Sequence, residues 1–117
     1  MRRGDIWTVA GAKDYAGKPR PALILQDDRF GDAPSVTICA FTTDATEAPQ
    51  FRIVVEPGDR NGLREPSRLM VDKITTVPKS KLGKALGHLD DEDILRLNRA
   101  VLVFLGLAAS VRAGTLE

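Results

Sequence analysis

A small antiparallel β-barrel or half-barrel followed by one C-terminal helix is the fold class that this 117-residue sequence predicts. Three observations lead there. Five short β-rich runs are separated by loops rich in Gly, Pro and Asp, and helical periodicity is confined to the last third of the chain. The length fits one domain, large enough to bury roughly two-thirds of its unfolded surface. An α+β sandwich of the same elements is the alternative. The domain is expected to span residues 1–112, with 113–117 a disordered tail in which Leu116-Glu117 reads as a cloning remnant.

The runs are distinct. Asp5–Ala10 is a short strand containing Ile6, Trp7 and Val9. Gly11–Arg20 carries Gly, Lys, Asp and Pro and reads as an exposed loop. Pro21–Gln26 and Val36–Phe41 are compact apolar runs of strand length. Gln50–Val55 alternates Phe51, Ile53 and Val55 with Arg52 and Val54, a strand with one wetter face. Pro57–Gly62 is a turn cluster, Arg68–Val77 is β-rich as one stretch, and Pro78–Leu82 has room for a short extra helical turn. The helix opens at Asp90, a good N-cap, with Asp91, Glu92 and Asp93 in the first turn, where the helix dipole favours negative charge. Ile94, Leu97, Val101, Leu105 and Ala108 form one stripe, and Gly106 weakens the last turn. Leu95, Leu102 and Phe104 widen the apolar surface beyond what one small sheet covers, which predicts a homodimer.

Several function classes are excluded by what the chain lacks. There is no apolar stretch long enough for a membrane span or signal peptide, so a cytoplasmic protein is expected. Cys39 is the one cysteine and lies in an apolar run, so it reads as a buried thiol. Walker, dinucleotide and zinc-protease motifs are absent, and the acidic runs Asp27-Asp28 and Asp90–Asp93 read as turn and cap chemistry. Neither a metal nor another cofactor is expected. The only histidine, His88, is flanked by leucines and reads as structural. Net charge is +1, yet Asn61–Leu89 carries Arg64, Arg68, Lys73, Lys79, Lys81 and Lys84 against Glu65 and Asp72. That basic stretch suits a polyanion or is ordinary solvated surface.

The residues that bracket the strands remain. Arg20 stands between Pro19 and Pro21, whose rings restrict the backbone and so the direction of the guanidinium. An arginine held there is either a fork for phosphate or a surface charge that keeps the loop soluble. Thr42-Thr43 closes an apolar strand.

These segments resemble a family. Arg3-Gly4-Asp5-Ile6-Trp7 is similar to the opening of the MazF/PemK toxins, and Gly17–Leu25 is similar to their R-P segment. Val36–Thr43, Asp72–Val77 and Gly87-His88-Leu89 before an acidic helix start resemble three further segments, in the same order. The resemblance implies an SH3-like small antiparallel β-barrel with a C-terminal helix, mainly β with α. It implies a homodimeric toxin of a type II toxin–antitoxin system, a metal-independent, sequence-selective endoribonuclease on single-stranded RNA. Its partners would be RNA and a cognate antitoxin, with DNA reached only through the antitoxin. By position the catalytic arginine falls on Arg20 and the strand-end threonine on Thr42. Lys18, Thr43, Arg68, Asp72, Lys73 and Tyr15 are auxiliary or substrate-binding candidates, Tyr15 in an RNA-contacting flap. Lys73 replaces the glutamine that usually follows the acid, and Met70 stands where some members have a second arginine. Arg68 is the nearest arginine, with the strand parity of Asp72. A gyrase-poisoning toxin on the same fold is the alternative, although such proteins use a C-terminal tryptophan that Ser110–Glu117 lacks. A non-catalytic SH3-like adaptor would need an aromatic groove, and aromatics are only 5% of this chain.

Overall fold

The computed structural model describes residues 1–10, 18–48 and 50–108. Seven strands and one long helix follow in order: β1 (Asp5–Val9), β2 (Arg20–Ile24), β3 (Ser35–Thr42), β4 (Arg52–Val55), β5 (Ser67–Met70), β6 (Thr75–Pro78), β7 (Leu82–His88) and α1 (Asp91–Phe104). The strands pair antiparallel in the order β4-β5-β3-β2-β1-β7, with β6 joined to β3 off this path. The path does not close on itself, so the expected barrel is realised as an open half-barrel.

β3 organises the sheet. Its first half, Ser35–Ile38, pairs with β6, while Phe41 and Thr42 pair with Leu69 and Arg68 of β5. Along its other edge Ile38, Cys39 and Ala40 face Ile24, Leu23 and Ala22 of β2. One strand thus bridges two sub-sheets, which requires it to be buried on both faces and explains its continuous apolar run. The two faces form separate cores. Ile6, Leu23, Cys39, Phe41, Ile53, Val55 and Leu69 pack with Leu89, Leu97 and Ala100 on the helix side. Val9, Ala22, Ile24, Val36 and Ile38 cluster on the other face, with Trp7 and Leu82 against them. Leu97 is fully buried, so Leu97→Ala would cost about 2–5 kcal/mol.

Three expectations are corrected. Arg68–Val77 is two strands rather than one, because Val71–Lys73 makes a 3-10 turn that lets the chain leave β5 and join β3 as β6. Leu82–His88 is a strand that the sequence conceals, since its side chains are mostly exposed and two glycines interrupt its pattern. Leu105 and Ala108 do not continue the helical stripe. Gly106, at φ +79°, takes the left-handed position after α1, and the N–H groups of Gly106 and Leu107 donate to the carbonyls of Val103 and Leu102. That arrangement satisfies the last carbonyls and ends the helix. At the other end the Asp90 carboxylate accepts from the Asp93 N–H at 2.9 Å, as the cap chemistry predicts. The short helical turn after Pro78 is present at Lys79–Lys81.

Candidate active site

β-sheet register brings the bracketing residues together. β2 begins at Arg20, which faces Val9 of β1. The β2–β3 register sets Leu23 against Cys39 and Ala22 against Ala40. Carried two residues further, it sets Arg20 across from Thr42. Thr42 faces Arg68 of β5, and Arg68 faces Val54 of β4. Arg20, Thr42 and Arg68 therefore occupy one row across three neighbouring strands, about 4.8 Å per step. Residues in such a row project from the same face of the sheet. All three are half-buried.

Each is held locally. The Thr42 Oγ1 accepts from the Asp44 N–H at 3.1 Å, a strand-end turn that leaves its own O–H available to donate. Arg68 reaches the Asp44 carbonyl and the Glu47 carboxylate, both at 3.4 Å. Asp44 itself takes two hydrogen bonds from Thr46, and these hold its carboxyl below the usual value. The loop after Thr42 is thus an ordered platform beside the row.

The remaining candidates divide. Asp72 does not lie on the strand of Arg68, so the shared parity expected from spacing does not apply; it sits in the 3-10 turn after β5. Its carboxylate is taken up by Arg52, whose Nε and Nη2 donate to the two oxygens at 2.8 and 3.0 Å. The Arg52 hydrogen bonds are the main reason that the Asp72 carboxyl lies below its ordinary value. Lys73, the next residue, is exposed. Lys18 is exposed just ahead of β2, and Thr43 is exposed just past Thr42. Tyr15, with residues 11–17 of its loop, lies outside the described residues, as does the tail. Arg52 was not among the sequence candidates. Strand alternation places it on the wetter face of β4, but nothing local announces a partner twenty positions away.

His88 and Cys39 fall outside the row. His88 is not packed among leucines: its Nδ1 lies 2.9 Å from the Asp5 carboxylate, and its side chain is half exposed. Cys39 is fully buried, and burial pushes its thiol up to about 12, which makes it inert. Among the described residues no three His, Cys, Asp or Glu side chains converge as metal ligands, and no helix is long and apolar enough to cross a membrane.

Residues 2–105 match the profile of the PemK-like, MazF-like toxins of type II toxin–antitoxin systems. The chain belongs to this toxin family. A probable endoribonuclease MazF of Mycolicibacterium smegmatis is 55% identical over 108 residues, covering 92% of this chain and 99% of that protein. Endoribonuclease EndoA of Bacillus subtilis is 29% identical over 115 residues, with 92% and 96% covered. Among solved structures, an endoribonuclease from a mycobacterial species in complex with its cognate antitoxin superposes with a TM-score of 0.74 at 25% identity, over 92% of this chain and 96% of that one. The Mycobacterium tuberculosis toxin MazF-mt6 superposes with a TM-score of 0.73 at 26% identity, over 87% and 96%. In this MazF-like toxin the row of Arg20, Thr42 and Arg68 lies beside Val9, where β1 and β3 end and β2 begins.

Proposed function

We propose that this MazF-like toxin is an endoribonuclease that cleaves single-stranded RNA without a metal, with Arg20 and Thr42 at the reacting phosphate. The observation that carries the reading is the shared row: two cationic side chains flank a hydroxyl donor on one sheet face. The names of its relatives, endoribonucleases over nearly their full length, support the same substrate class.

RNA contains its own nucleophile. The 2′-oxygen attacks the adjacent phosphorus, the new O–P bond forms, and the bond to the 5′-oxygen breaks. One proton leaves the 2′-hydroxyl and one reaches the departing 5′-oxygen, giving a 2′,3′-cyclic phosphate and a 5′-hydroxyl. The protein must fix the in-line geometry and stabilise the charge on the pentacoordinate phosphorus. Arg20 supplies paired N–H donors for that charge, and Thr42 supplies a further donor to the same oxygens. A guanidinium is a fixed positive charge with donors only, so the role of Arg20 is electrostatic. Arg68, already turned toward Asp44 and Glu47, contributes field rather than direct contact.

The same reading includes a homodimer, an antitoxin that blocks the RNA face, and action in the cytoplasm. Leu95 near the start of α1 and Leu102, Val103, Phe104, Leu105 and Leu107 around its end are each at least 44% exposed, more apolar surface than a monomer usually leaves open. A relative solved with its cognate antitoxin supports the second partner. The test is cleavage of a mixed-sequence single-stranded RNA in excess EDTA, with the new ends identified. Cyclic phosphate and 5′-hydroxyl ends are expected; activity that disappears with EDTA and returns with magnesium would overturn the metal-free reading.

A further inference from the structure

A second concave site adjoins the row. Pro19 and Pro21, which flank Arg20, line it together with Thr43, Thr8, Leu63 and Leu86. Thr8 and Pro21 face each other across β1 and β2, and alternation turns them to the face opposite Arg20, so the pocket lies just over the sheet end from the row. Two cations, Arg64 and Lys84, stand on its rim, and Glu65 stands beside them. Arg64 and Lys84 make no ion pair among the described residues.

The backbone is arranged to place them. β1 and β7 slip by one residue: Trp7 faces Ala85 and Val9 faces Leu82, so Thr8 alone opposes both Gly83 and Lys84. Thr8 Oγ1 accepts from the Lys84 N–H at 2.9 Å, which fixes this bulge. A Cβ on Gly83 would come within 2.5 Å of that same Oγ1, so the bulge requires glycine there. Bulges of this kind re-aim a side chain, here that of Lys84. The wall that carries Leu63 and Arg64 is fixed by a second close approach. Gly62, at φ +70°, sits against β7 so tightly that a Cβ would lie 2.3 Å from the Leu86 carbonyl. The pocket is therefore a preformed, apolar-walled cleft with a cationic rim.

We propose that this pocket binds a nucleotide flanking the cleaved bond and sets sequence preference at that position, with Arg64 reading the base edge and Lys84 holding a phosphate. The inference rests on the endoribonuclease reading of the row. An RNA strand crossing the sheet end at Arg20 meets Pro19, Pro21 and Thr43 next, because they adjoin Arg20 and Thr42 in the chain. Apolar walls accept a splayed base, as unpaired RNA presents. Arginine offers two parallel donors to a base edge, whereas lysine is a point charge suited to phosphate. Charge complementarity favours the RNA strand as the occupant.

The experiment compares wild type with Arg64→Ala, Lys84→Ala and Arg99→Ala, the last an exposed cation on α1 away from the pocket. Cleavage of a randomised single-stranded RNA pool gives preference by position. Binding of an uncleavable oligonucleotide, 2′-deoxy at the cut, gives affinity independent of cleavage. Arg64→Ala is expected to flatten preference at one position near the cut, with kcat/KM on the favoured sequence falling about tenfold and on disfavoured sequences little. Lys84→Ala is expected to raise KM severalfold on all sequences at unchanged kcat, beyond any effect of Arg99→Ala. If the wild type cuts no RNA, the activity reading fails while the subsite is still judged by binding: weaker oligonucleotide binding by Arg64→Ala and Lys84→Ala than by Arg99→Ala upholds it. Preference and affinity indistinguishable from those of Arg99→Ala would overturn the subsite. So would variants that weaken only antitoxin binding.

Discussion

The guanidinium of Arg52 and the carboxylate of Asp72 face each other in a two-pronged ion pair that ties β4 to the turn after β5. The side chains are 13% and 22% exposed, so solvent screens the pair only in part. It secures the turn that sends the chain from β5 into β6, and with it the register that places Arg68 opposite Thr42.

The pair predicts an acid-sensitive contribution to stability. Asp72 in the folded chain lies below its ordinary value of 3.8, chiefly through the Arg52 hydrogen bonds. The unfolded state therefore binds the proton more tightly, and stability rises with pH across that interval. The contribution is complete above about pH 5 and is lost as pH falls through the depressed folded value. Asp72→Asn should cost about 1.5–3 kcal/mol at neutral pH, the usual range for hydrogen bonds to charged groups. Thermal melts of both proteins should converge as the pH drops toward 3; a gap that stays constant would show that the pair contributes nothing to the pH dependence.

What could be read beforehand followed from local chemistry. The Asp90 cap, the apolar runs of β2 and β3, and the positions of Arg20 and Thr42 at strand ends all depend on near neighbours in sequence. The concealed features depend on distant ones. β7 shows little alternation because its glycines serve close approach to Thr8 and to the Arg60–Asn61 backbone, neither visible in a seven-residue window. Arg52 needed Asp72, and the division of Arg68–Val77 needed a partner strand for each half. His88 was assigned to packing by its leucine neighbours, yet the β1–β7 register sets it opposite Asp5, whose carboxylate its ring meets.

His88→Ala should retain most cleavage activity. His88 faces Asp5, at the opposite end of β1 from Val9, the residue that faces Arg20. Four residue steps along β1 separate the two ends by about 13 Å, too far for a proton transfer at the same phosphate. A loss beyond about 100-fold with an unchanged melting temperature would bring His88 into the site.

The exposed end of α1 predicts self-association. Leu102 and Val103 are 44% and 47% exposed, beside Leu105 and Leu107 at 57% and 64%. Wild-type protein should sediment as a dimer at micromolar concentration. Leu102→Lys combined with Val103→Lys should shift it toward monomer while far-ultraviolet circular dichroism stays native. A wild-type monomer under those conditions would contradict the homodimer.

Arg20→Ala should separate chemistry from folding. Arg20 is the first residue of β2 and its side chain is only half-buried, so truncation should cost the fold about 1 kcal/mol or less. Its proposed role at the phosphorus is of another magnitude. Losing one preorganised donor to a developing anion typically slows a reaction about 100- to 1,000-fold. Binding should suffer less, because Arg64, Lys84 and Lys18 still attract the RNA backbone, and that residual affinity should weaken with salt. Arg20→Lys keeps the charge but cannot present two parallel N–H donors, so it should stay badly impaired in kcat while binding RNA nearly as wild type does. Cleavage time courses on a mixed-sequence RNA, run beside thermal melts, distinguish these outcomes. If Arg20→Ala melts normally and cuts within threefold of wild type, the phosphate is held elsewhere and the row is not the catalytic one.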